Sequence, residues 1–244
     1  MGATRFMFRL RTLILFVVVF LGFWSPWIEI LHLGQRLSLL EWLALEISRL
    51  GLLTFTAATP VVIILGSLIA AAGVVLRIWG TACLGPATVL HARMQAGALV
   101  VSGPYRYVRN PLYLGVWCMM AAMSFIMPPT GALFTMVLVT FFVLRLIHGE
   151  EAFLTAQLGQ PYRDYLRAVP RLIPLLRTAL PAGSDRPVWG SAILAELNPL
   201  GVFFTLAVLS WSYNNLLMIK GVIISFGVAL VVRALLPGQS AAGN

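Results

Sequence analysis

Long apolar runs constrain the fold of this chain more than any other feature of its sequence. Residues 58–81 read ATPVVIILGSLIAAAGVVLRIWGT and carry one charged side chain, Arg77. About 20 mostly apolar residues are enough for a helix to cross a bilayer. The run therefore predicts a transmembrane helix, and its many small residues favour close contact with a neighbouring helix.

The composition extends this interpretation to the whole chain. Hydrophobic residues make up 60% and charged residues 10% of the sequence, with a mean hydropathy of +0.92, whereas soluble domains carry about a quarter charged residues. We expect an all-α integral membrane protein with about six transmembrane helices plus an interfacial helix. The expected spans are residues 12–33 (kinked at Pro26), 58–81, 111–127, 131–148, 189–212 and 215–236.

Residues 35–57 are the expected interfacial helix. Arg36, Glu41 and Glu46 lie among leucines, and each charge at the bilayer centre costs about 2.5–3.5 kcal/mol on insertion scales. An amphipathic helix in the interface avoids this cost; a partial dip into the bilayer is the alternative. The chain then divides into an N-terminal span with the interfacial helix (1–57), a core of three spans with a cytoplasmic cap (58–186) and a C-terminal two-helix extension (187–244).

The net charge of +9 is explained by membrane orientation. Basic residues favour the cytoplasmic flanks of spans, and six spans with the N-terminus inside place every Lys and Arg on that side except Arg36, Arg49 and Lys220. No basic helix with base-stacking aromatics is present, so we expect no nucleic-acid partner. The two cysteines lack metal-type spacing, and no metal site is predicted. Glu196 and Asn198, near the start of the fifth expected span, are interpreted as interfacial caps.

A very short turn, Pro-Pro-Thr-Gly at 128–131, joins the third and fourth expected spans. The two spans must form an antiparallel hairpin, which brings residues near 110 and residues near 148 together at one membrane face. The helical pattern of the fourth span continues through HGEEAFLTAQLG, and Gly159 and Pro161 are expected to end it. Two polar clusters far apart in the sequence thus form one expected site.

The first cluster is GPYRYVRNPLYLG, residues 103–115. Gly103 permits unusual backbone dihedrals or close approach of a ligand. Pro111 suits the first turn of a helix, and Asn110 before it fits a helix cap. Capping alone, with the tyrosines forming an interfacial aromatic belt, is therefore one interpretation, and a ligand site is the other.

The second cluster lies at the end of the fourth span. Arg145, His148 and Glu151 recur every three residues and share one slowly drifting helix face. Glu150 points about 100° away from Glu151. The two acids either mark the exit from the bilayer and pair with loop arginines, or provide a carboxylate that binds a cation or a ribose diol or acts as a base. An ionisable residue within a membrane-spanning segment is by default a candidate functional residue.

The two clusters together resemble the isoprenylcysteine carboxyl methyltransferase and phospholipid methyltransferase superfamily. The first family motif reads GPY-x-Y-V-R-H-P-x-Y-x-G, and the second is matched here by EEAFLTAQLGQPYRDYLRAVPRLIP, residues 150–174, with LRIWG at 76–80 as an Arg-Trp element. The resemblance implies a membrane methyltransferase that uses S-adenosylmethionine (SAM) in a pocket at the cytoplasmic face. Asn110 stands where the family has His and does not titrate near neutrality, so an imidazole base at that position is in doubt.

The resemblance also implies roles for individual residues. The cofactor cavity is expected to be lined by Gly103, Pro104, Tyr105, Asn110, Pro111 and Tyr113. Glu151, with Glu150 beside it, would meet the ribose or the cationic end of the cofactor. Arg171 and Arg163 would engage the cofactor's carboxylate or an acidic acceptor, with lipid headgroups as the alternative ligands of both. Arg145 and His148 would support the wall or approach the acceptor, with His148 as the candidate base or an ordinary interfacial histidine.

The acceptor is expected to enter from the bilayer, because the sequence shows no large soluble domain that would recruit a water-soluble acceptor. A lipophilic thioether acid, an amine headgroup lipid and a small permeable thiol all remain open, and His91, Arg93 and Gln95 are polar enough to contribute. An NADPH-dependent reductase of the sterol-reductase type and a non-catalytic scaffold or transporter are the rival interpretations. We expect a bacterial inner-membrane location with the active site on the cytoplasmic side; an oligomer is possible but not indicated.

Overall fold

The computed structural model describes residues 5–34, 36–85, 101–177, 180–181, 186–212 and 214–235. Every regular element within these residues is helical, which confirms the all-α fold. The α-helices are α1 (Arg5–Arg9), α2 (Arg11–Trp24), α3 (Trp27–Ile30), α4 (Leu39–Arg49), α5 (Phe55–Leu84), α6 (Pro111–Ser124), α7 (Pro129–Leu158), α8 (Gln160–Ala168), α9 (Trp189–Ala195), α10 (Leu197–Val208) and α11 (Asn215–Leu235). Single 3-10 turns cover Gly103–Arg106 and Leu209–Ser212.

Three helical segments are long and apolar enough to cross a membrane, namely Arg11–Ile30, α5 and α7. The bent pair α9 and α10 adds a fourth if it counts as one span. The apolar helices Pro111–Ser124 (α6) and Leu216–Val232 (within α11) are shorter than that criterion requires. The membrane class of the fold is therefore confirmed, while the count of six spans stays a prediction.

The first span bends where the sequence predicted a kink. Helix α2 ends before Ser25, whose φ of 39° is left-handed and whose hydroxyl donates to Gly22 O at 2.5 Å. Pro26 then precedes the short helix α3. Because proline has no N–H to continue the helical ladder, the break falls at this residue.

The amphipathic helix expected within residues 35–57 is α4. Its start is a capping box: Ser38 Oγ accepts from Glu41 N at 3.2 Å, and the Glu41 carboxylate accepts from Ser38 N at 2.8 Å. The first two amides of α4 donate to backbone oxygens of the turn that follows α6, Leu39 N to Met127 O and Leu40 N to Phe125 O. Helix α4 is thereby docked on the α6–α7 hairpin.

Glycines set how closely the central helices approach. A Cβ on Gly115 of α6 would lie 2.9 Å from the backbone oxygen of Gly73 in α5. A Cβ on Gly131 of α7 would lie 2.0 Å from the backbone oxygen of Gly22 in α2. Contacts this close exclude any larger residue, so α7 lies against the backbone of α2 and α6 against that of α5.

The expected hairpin of the third and fourth spans is present as α6 and α7. Helix α6 ends at Ser124 rather than at 127, and α7 begins at Pro129. Helix α7 runs to Leu158 and ends at Gly159, which adopts a φ of +64°. Pro161 does not end this helix as predicted, because it lies in the first turn of the next one, α8.

The segment expected as one straight span at 189–212 is two helices. Helices α9 and α10 meet at an angle of 70°, and Glu196 separates them. Helix α10 packs against α5 and is followed by α11. Asn198 accepts a hydrogen bond from Ser225 of α11 at 3.3 Å, so it contacts a helix rather than capping one.

Replacing Gly131 by Ala is expected to destabilise the protein by about 1–3 kcal/mol, the usual range for overpacking, because the new Cβ meets the backbone of α2. The matched control is Gly227→Ala in α11, where no atom lies within 4 Å of the place that the new Cβ would take. That change should be neutral or stabilising by up to about 1 kcal/mol, since Ala favours helices. Unfolding in mixed micelles measures the free energy of unfolding of both variants. Equal losses of stability would contradict the close packing of α7 against α2.

Candidate active site

The α6–α7 hairpin brings the two sequence clusters into direct contact. The side-chain amide of Asn110 donates to Glu151 Oε1 at 3.2 Å and to the backbone oxygen of Arg171 at 3.2 Å. Asn110 precedes α6 but makes no side-chain capping bond. Asn110 thus occupies the predicted N-cap position of α6, but its side chain does not cap the helix: the amide connects α6 to α7 and to the segment after α8.

Glu151 is a buried carboxylate held by two arginines. Its side chain is 8% exposed and lies 2.7 Å from Arg171 Nη2 and 3.4 Å from Arg109 Nε. Removing a charge from water is expensive unless it is paired and hydrogen-bonded. Two guanidinium groups and the Asn110 amide meet that requirement, so the carboxylate is fully engaged by the protein.

Arg109 ties a further segment to this carboxylate. Its Nη1 donates to Leu166 O at 2.9 Å, and its backbone N–H donates to Pro170 O at 2.9 Å. The chain from 166 to 171 is thus bound to the first cluster along its length. Glu151 is paired with Arg171 and Arg109, which agrees with the alternative that the acids pair with loop arginines and does not leave Glu151 and Arg171 as two separate groups for a ligand.

Glu150 faces the other way. One residue along a helix turns a side chain by about 100°, and Glu150 Oε2 accepts a hydrogen bond from Tyr113 Oη at 2.7 Å. The side chains of Glu150 and Tyr113 line a cavity of about 920 Å³. The two adjacent acids therefore have different surroundings: Glu151 is paired with two arginines, and Glu150 lies at the cavity wall.

The cavity lies between helices from the whole length of the chain. Its charged lining side chains are Arg11 of α2, Arg77 of α5, Glu150 of α7 and Glu196. The remaining wall is mainly apolar and is built from α2, α6, α10 and α11. Its volume falls within the range of about 300–1,000 Å³ that is typical of ligand sites.

The loop before α6 places polar groups against the hairpin. The Tyr105 hydroxyl and Ser102 Oγ are buried and have no hydrogen-bond partner among the described residues. Burial, with the nearby charge of Glu150, raises the pKa of Tyr105 well above its usual value. The hydroxyl therefore stays protonated and is a donor without an acceptor, which is unusual for a buried group.

Gly103 and the prolines have a packing role in this loop. Gly103 has a φ of +53°, and a Cβ there would lie 2.4 Å from Cys83 Sγ and 2.6 Å from Trp79 Nε1. Close approach to α5, not to a cavity, therefore explains this glycine. Pro104 and Pro111 are buried, and neither they nor Gly103 line the 920 Å³ cavity.

Arg145 and His148 lie on the side of α7 away from this cavity. The cavity-lining residues of α7 are Val143, Leu146 and Glu150, and a residue two positions further along a helix is rotated by about 200°. His148 Nδ1 donates to Leu144 O at 2.6 Å, which leaves Nε2 to accept from Arg171 Nη1 at 3.0 Å. Both residues therefore point away from this cavity, and the contact of His148 with Arg171 agrees with the wall-supporting alternative rather than with the acceptor-facing one.

Arg145 is close to an aromatic ring instead. Its guanidinium carbon lies 5.8 Å from the centre of the Phe141 ring, a distance typical of a cation–π contact. Arg163 is exposed on α8. His91, Arg93 and Gln95 lie outside the described residues.

A second buried ion pair was not predicted from the sequence. Glu196 is fully buried, and its carboxylate binds Arg77 Nε at 2.5 Å and Nη2 at 2.9 Å and accepts from Thr81 Oγ1 at 2.7 Å. The interfacial-cap interpretation of Glu196 is therefore wrong. A lone acid inside an apolar segment is the signal that points to such a pair.

Comparisons with known proteins agree with the two motifs. The phospholipid methyltransferase family model matches residues 61–161. A protein-S-isoprenylcysteine O-methyltransferase of Schizosaccharomyces pombe is 35% identical over 114 residues, which are 40% of this chain and 48% of that protein. A methanethiol S-methyltransferase of Crocosphaera subtropica is 42% identical over 72 residues, 30% of this chain and 28% of that protein. The chain thus spans about half or less of these relatives, and no solved structure matches.

Removing the charge of Glu196 tests its buried pair with Arg77, both of which line the cavity. Glu196→Gln leaves Arg77 buried without its counter-ion, which should cost about 3–5 kcal/mol. Glu46→Gln, in the exposed pair Arg49–Glu46, is the matched control and should cost no more than about 1 kcal/mol. Unfolding in mixed micelles measures the difference, and a Glu196 variant as stable as the control would contradict the pairing.

Proposed function

We propose that this chain, which belongs to the isoprenylcysteine carboxyl methyltransferase and phospholipid methyltransferase superfamily through residues 61–161, is a membrane-embedded methyltransferase that uses SAM. The observation that carries the proposal is the pair of adjacent motif acids. One, Glu151, joins both motifs, and the other, Glu150, faces a ligand-sized cavity. The relatives are named for methyl transfer to isoprenylcysteine and to methanethiol, which supports a lipophilic or small permeable acceptor with a carboxylate, thiol or amine.

The groups at the polar end of the cavity fit a cofactor with a cationic sulfonium and several hydrogen-bonding groups. Glu150 offers a carboxylate to a positive charge, and Tyr113 orients it by donating to Oε2. Tyr105 and Ser102 hold buried hydroxyls with no partner among the described residues, but neither lines the 920 Å³ cavity. We infer that Glu150 and Tyr113 would hold the cationic end of the cofactor.

When bound, SAM supplies a methyl group already activated by the sulfonium, so the protein mainly contributes position and electrostatic setting. The contacts among Asn110, Glu151, Arg109 and Arg171 fix both motifs around the cavity end. Glu150 is also the carboxylate able to take a proton from a thiol or amine acceptor, whereas a carboxylate acceptor has none to lose. In this proposal Glu150 takes the role of base that the sequence suggested for His148.

The positive-inside distribution supports placing this polar end on the cytoplasmic side, where SAM is made available to the enzyme. The N-terminus would lie on the same side, because Phe8 of α1 packs in one cluster with Leu146 of α7 and with Tyr113, whose hydroxyl donates to Glu150. We propose a bacterial inner membrane as the location.

Thermal unfolding of the detergent-purified protein with SAM or with NADPH tests the cofactor. A ligand that binds only the folded state stabilises it by about 2.7 kcal/mol at a hundred times its dissociation constant. We expect SAM to raise the unfolding midpoint and NADPH to leave it unchanged. Stabilisation by NADPH alone would identify a reductase, and stabilisation by neither would favour a scaffold or transporter; each result overturns the proposal.

Single substitutions at two adjacent residues separate an effect on SAM binding from an effect on the stability of the free protein. Glu150→Gln should reduce the shift produced by SAM while leaving the midpoint of the free protein near that of the wild type. Glu151→Gln should lower the midpoint of the free protein by itself, because it leaves Arg109 and Arg171 without their counter-ion. The same thermal assay reads both, and the reverse pattern would return the cofactor-binding role to Glu151.

A further inference from the structure

One face of α7 carries a stripe of exposed apolar side chains that ends in two basic residues. Leu133, Val137 and Phe141 are exposed and recur every four residues, which places them on one face of the helix. In a membrane-spanning helix such a face lies against lipid. The next position in this series is Arg145, and His148 follows about one turn further on.

The length of α7 places these two basic residues at the edge of the bilayer core. The helix rises about 28 Å from Pro129, its first residue, to His148 at 1.5 Å per residue. The hydrocarbon core of a bilayer is about 30 Å thick. A span that enters the core at Pro129 therefore brings His148 to the level of the headgroups on the other side. Arg145 lies about one turn deeper, and its long side chain keeps the guanidinium within reach of the same headgroups.

Arg145 has no acidic partner in the part of the chain that the structure describes. Its guanidinium carbon lies over the Phe141 ring, and its Nε is buried without a hydrogen-bond partner. No salt bridge between described residues includes it. A cation beside hydrocarbon is costly unless an anion accompanies it, so an anion bound at this position would stabilise it.

The segment after α8 brings a second arginine to the same level of the membrane. Arg171 Nη1 donates to His148 Nε2 at 3.0 Å, and His148 shares a helix face with Arg145. The next residue of the segment, Leu172, packs against the apolar cluster that contains Ile147 of α7. The segment therefore lies against the membrane-embedded part of α7.

Two apolar side chains of this segment point away from the protein. Ile173 is 82% exposed and Leu176 is 99% exposed. Their backbone is held in place, because the Leu175 N–H donates to Tyr107 O at 2.9 Å. Apolar side chains next to arginines are typical of segments that lie in the membrane surface, with the hydrocarbon groups in the acyl region and the cations near the phosphates.

We propose that Arg145, Arg171, Ile173 and Leu176 form a binding site for one anionic phospholipid on the lipid-facing surface of α7. None of the four residues lines the 920 Å³ cavity, so this site is distinct from the one in which methyl transfer is proposed. The lipid phosphate binds the two guanidinium groups. The acyl chains lie along the exposed stripe of α7, and Ile173 and Leu176 contact them near the headgroup.

Arg171 can bind the phosphate without releasing its protein partners. A guanidinium has five N–H groups; Nε and Nη2 of Arg171 donate to Glu151, and Nη1 donates to His148. Three N–H groups are thus used and two remain. Because Arg171 also holds Glu151, which joins the two motifs, a lipid bound here would fix the segment after α8 in the arrangement that the site requires.

The site should prefer a lipid with a net negative charge. A zwitterionic headgroup carries its own cation, which opposes the attraction of the two arginines, whereas phosphatidylglycerol carries only the phosphate charge. Native mass spectrometry of the full-length chain, released from micelles that contain phosphatidylglycerol or phosphatidylcholine, measures the affinity for the first bound lipid. We expect phosphatidylglycerol to bind about tenfold more tightly. Equal affinities for the two lipids would overturn the proposal.

Arg145→Gln tests the phosphate contact. It should weaken the binding of phosphatidylglycerol by about tenfold and leave that of phosphatidylcholine nearly unchanged, since one contact to a charged group is lost. The matched control is Arg49→Gln on α4, whose first residues dock at the other end of the α6–α7 hairpin. That change should alter neither affinity, and equal effects of the two variants would refute the site.

Leu176→Ser tests the apolar part of the site, at a position where full exposure makes loss of folding irrelevant to the result. It should weaken both lipids by a similar factor of about three to ten and leave their ratio unchanged. Unchanged affinities for both lipids would show that Leu176 contacts no acyl chain and would overturn the proposed placement.

A soluble anion is the other source of a phosphate group. Inorganic phosphate or glycerol phosphate in large excess should not displace phosphatidylglycerol, because neither has acyl chains to bury. Displacement by either would identify a site for a free anion and overturn the assignment to lipid. These measurements use neither SAM nor a methyl acceptor, so their outcome is independent of the proposed function.

Discussion

The burial of one carboxylate, Glu151, governs the arrangement of the candidate site. A charge removed from water needs opposite charge and hydrogen bonds around it, and Glu151 obtains them from Arg109, Asn110 and Arg171. These partners come from the loop before α6 and the segment after α8, far apart in the sequence. Satisfying one buried charge therefore holds three separate segments together, and with them the orientation of Glu150 toward the cavity.

The sequence predicted this meeting of segments because the constraint is topological. Two apolar helices joined by a turn of a few residues have to run antiparallel, so Asn110 and the end of α7 lie at the same end of the hairpin whatever the details of packing. The 3.2 Å contact between Asn110 and Glu151 confirms it. The helical fold and the kink at Pro26 were predicted for similar reasons, since lipid favours helices and proline interrupts their hydrogen bonds.

What the sequence did not predict depends on the rotation of helices about their axes. The spacing of Glu150 and Glu151 fixes the angle between them but not which one faces the cavity; the packing of α7 against α2 and α6 decides that. The same rotation turns Arg145 and His148 away from the cavity. The break at Glu196 escaped prediction because its partner, Arg77, is more than a hundred residues earlier, and no local pattern contains that contact.

The division of the cavity between segments has a consequence for how acceptors are chosen in such proteins. Relatives named for a prenylated cysteine and for a one-carbon thiol each resemble this chain over less than half of its length. A methyl donor common to them would need the same polar end, whereas the acceptors differ most in the length of their apolar part. In this chain the polar end is built largely by the motifs, and much of the apolar wall by α2, α10 and α11. In the proposed function, helices outside the motif segment would therefore select the acceptor, while the buried charge of Glu151 would hold the motifs in place.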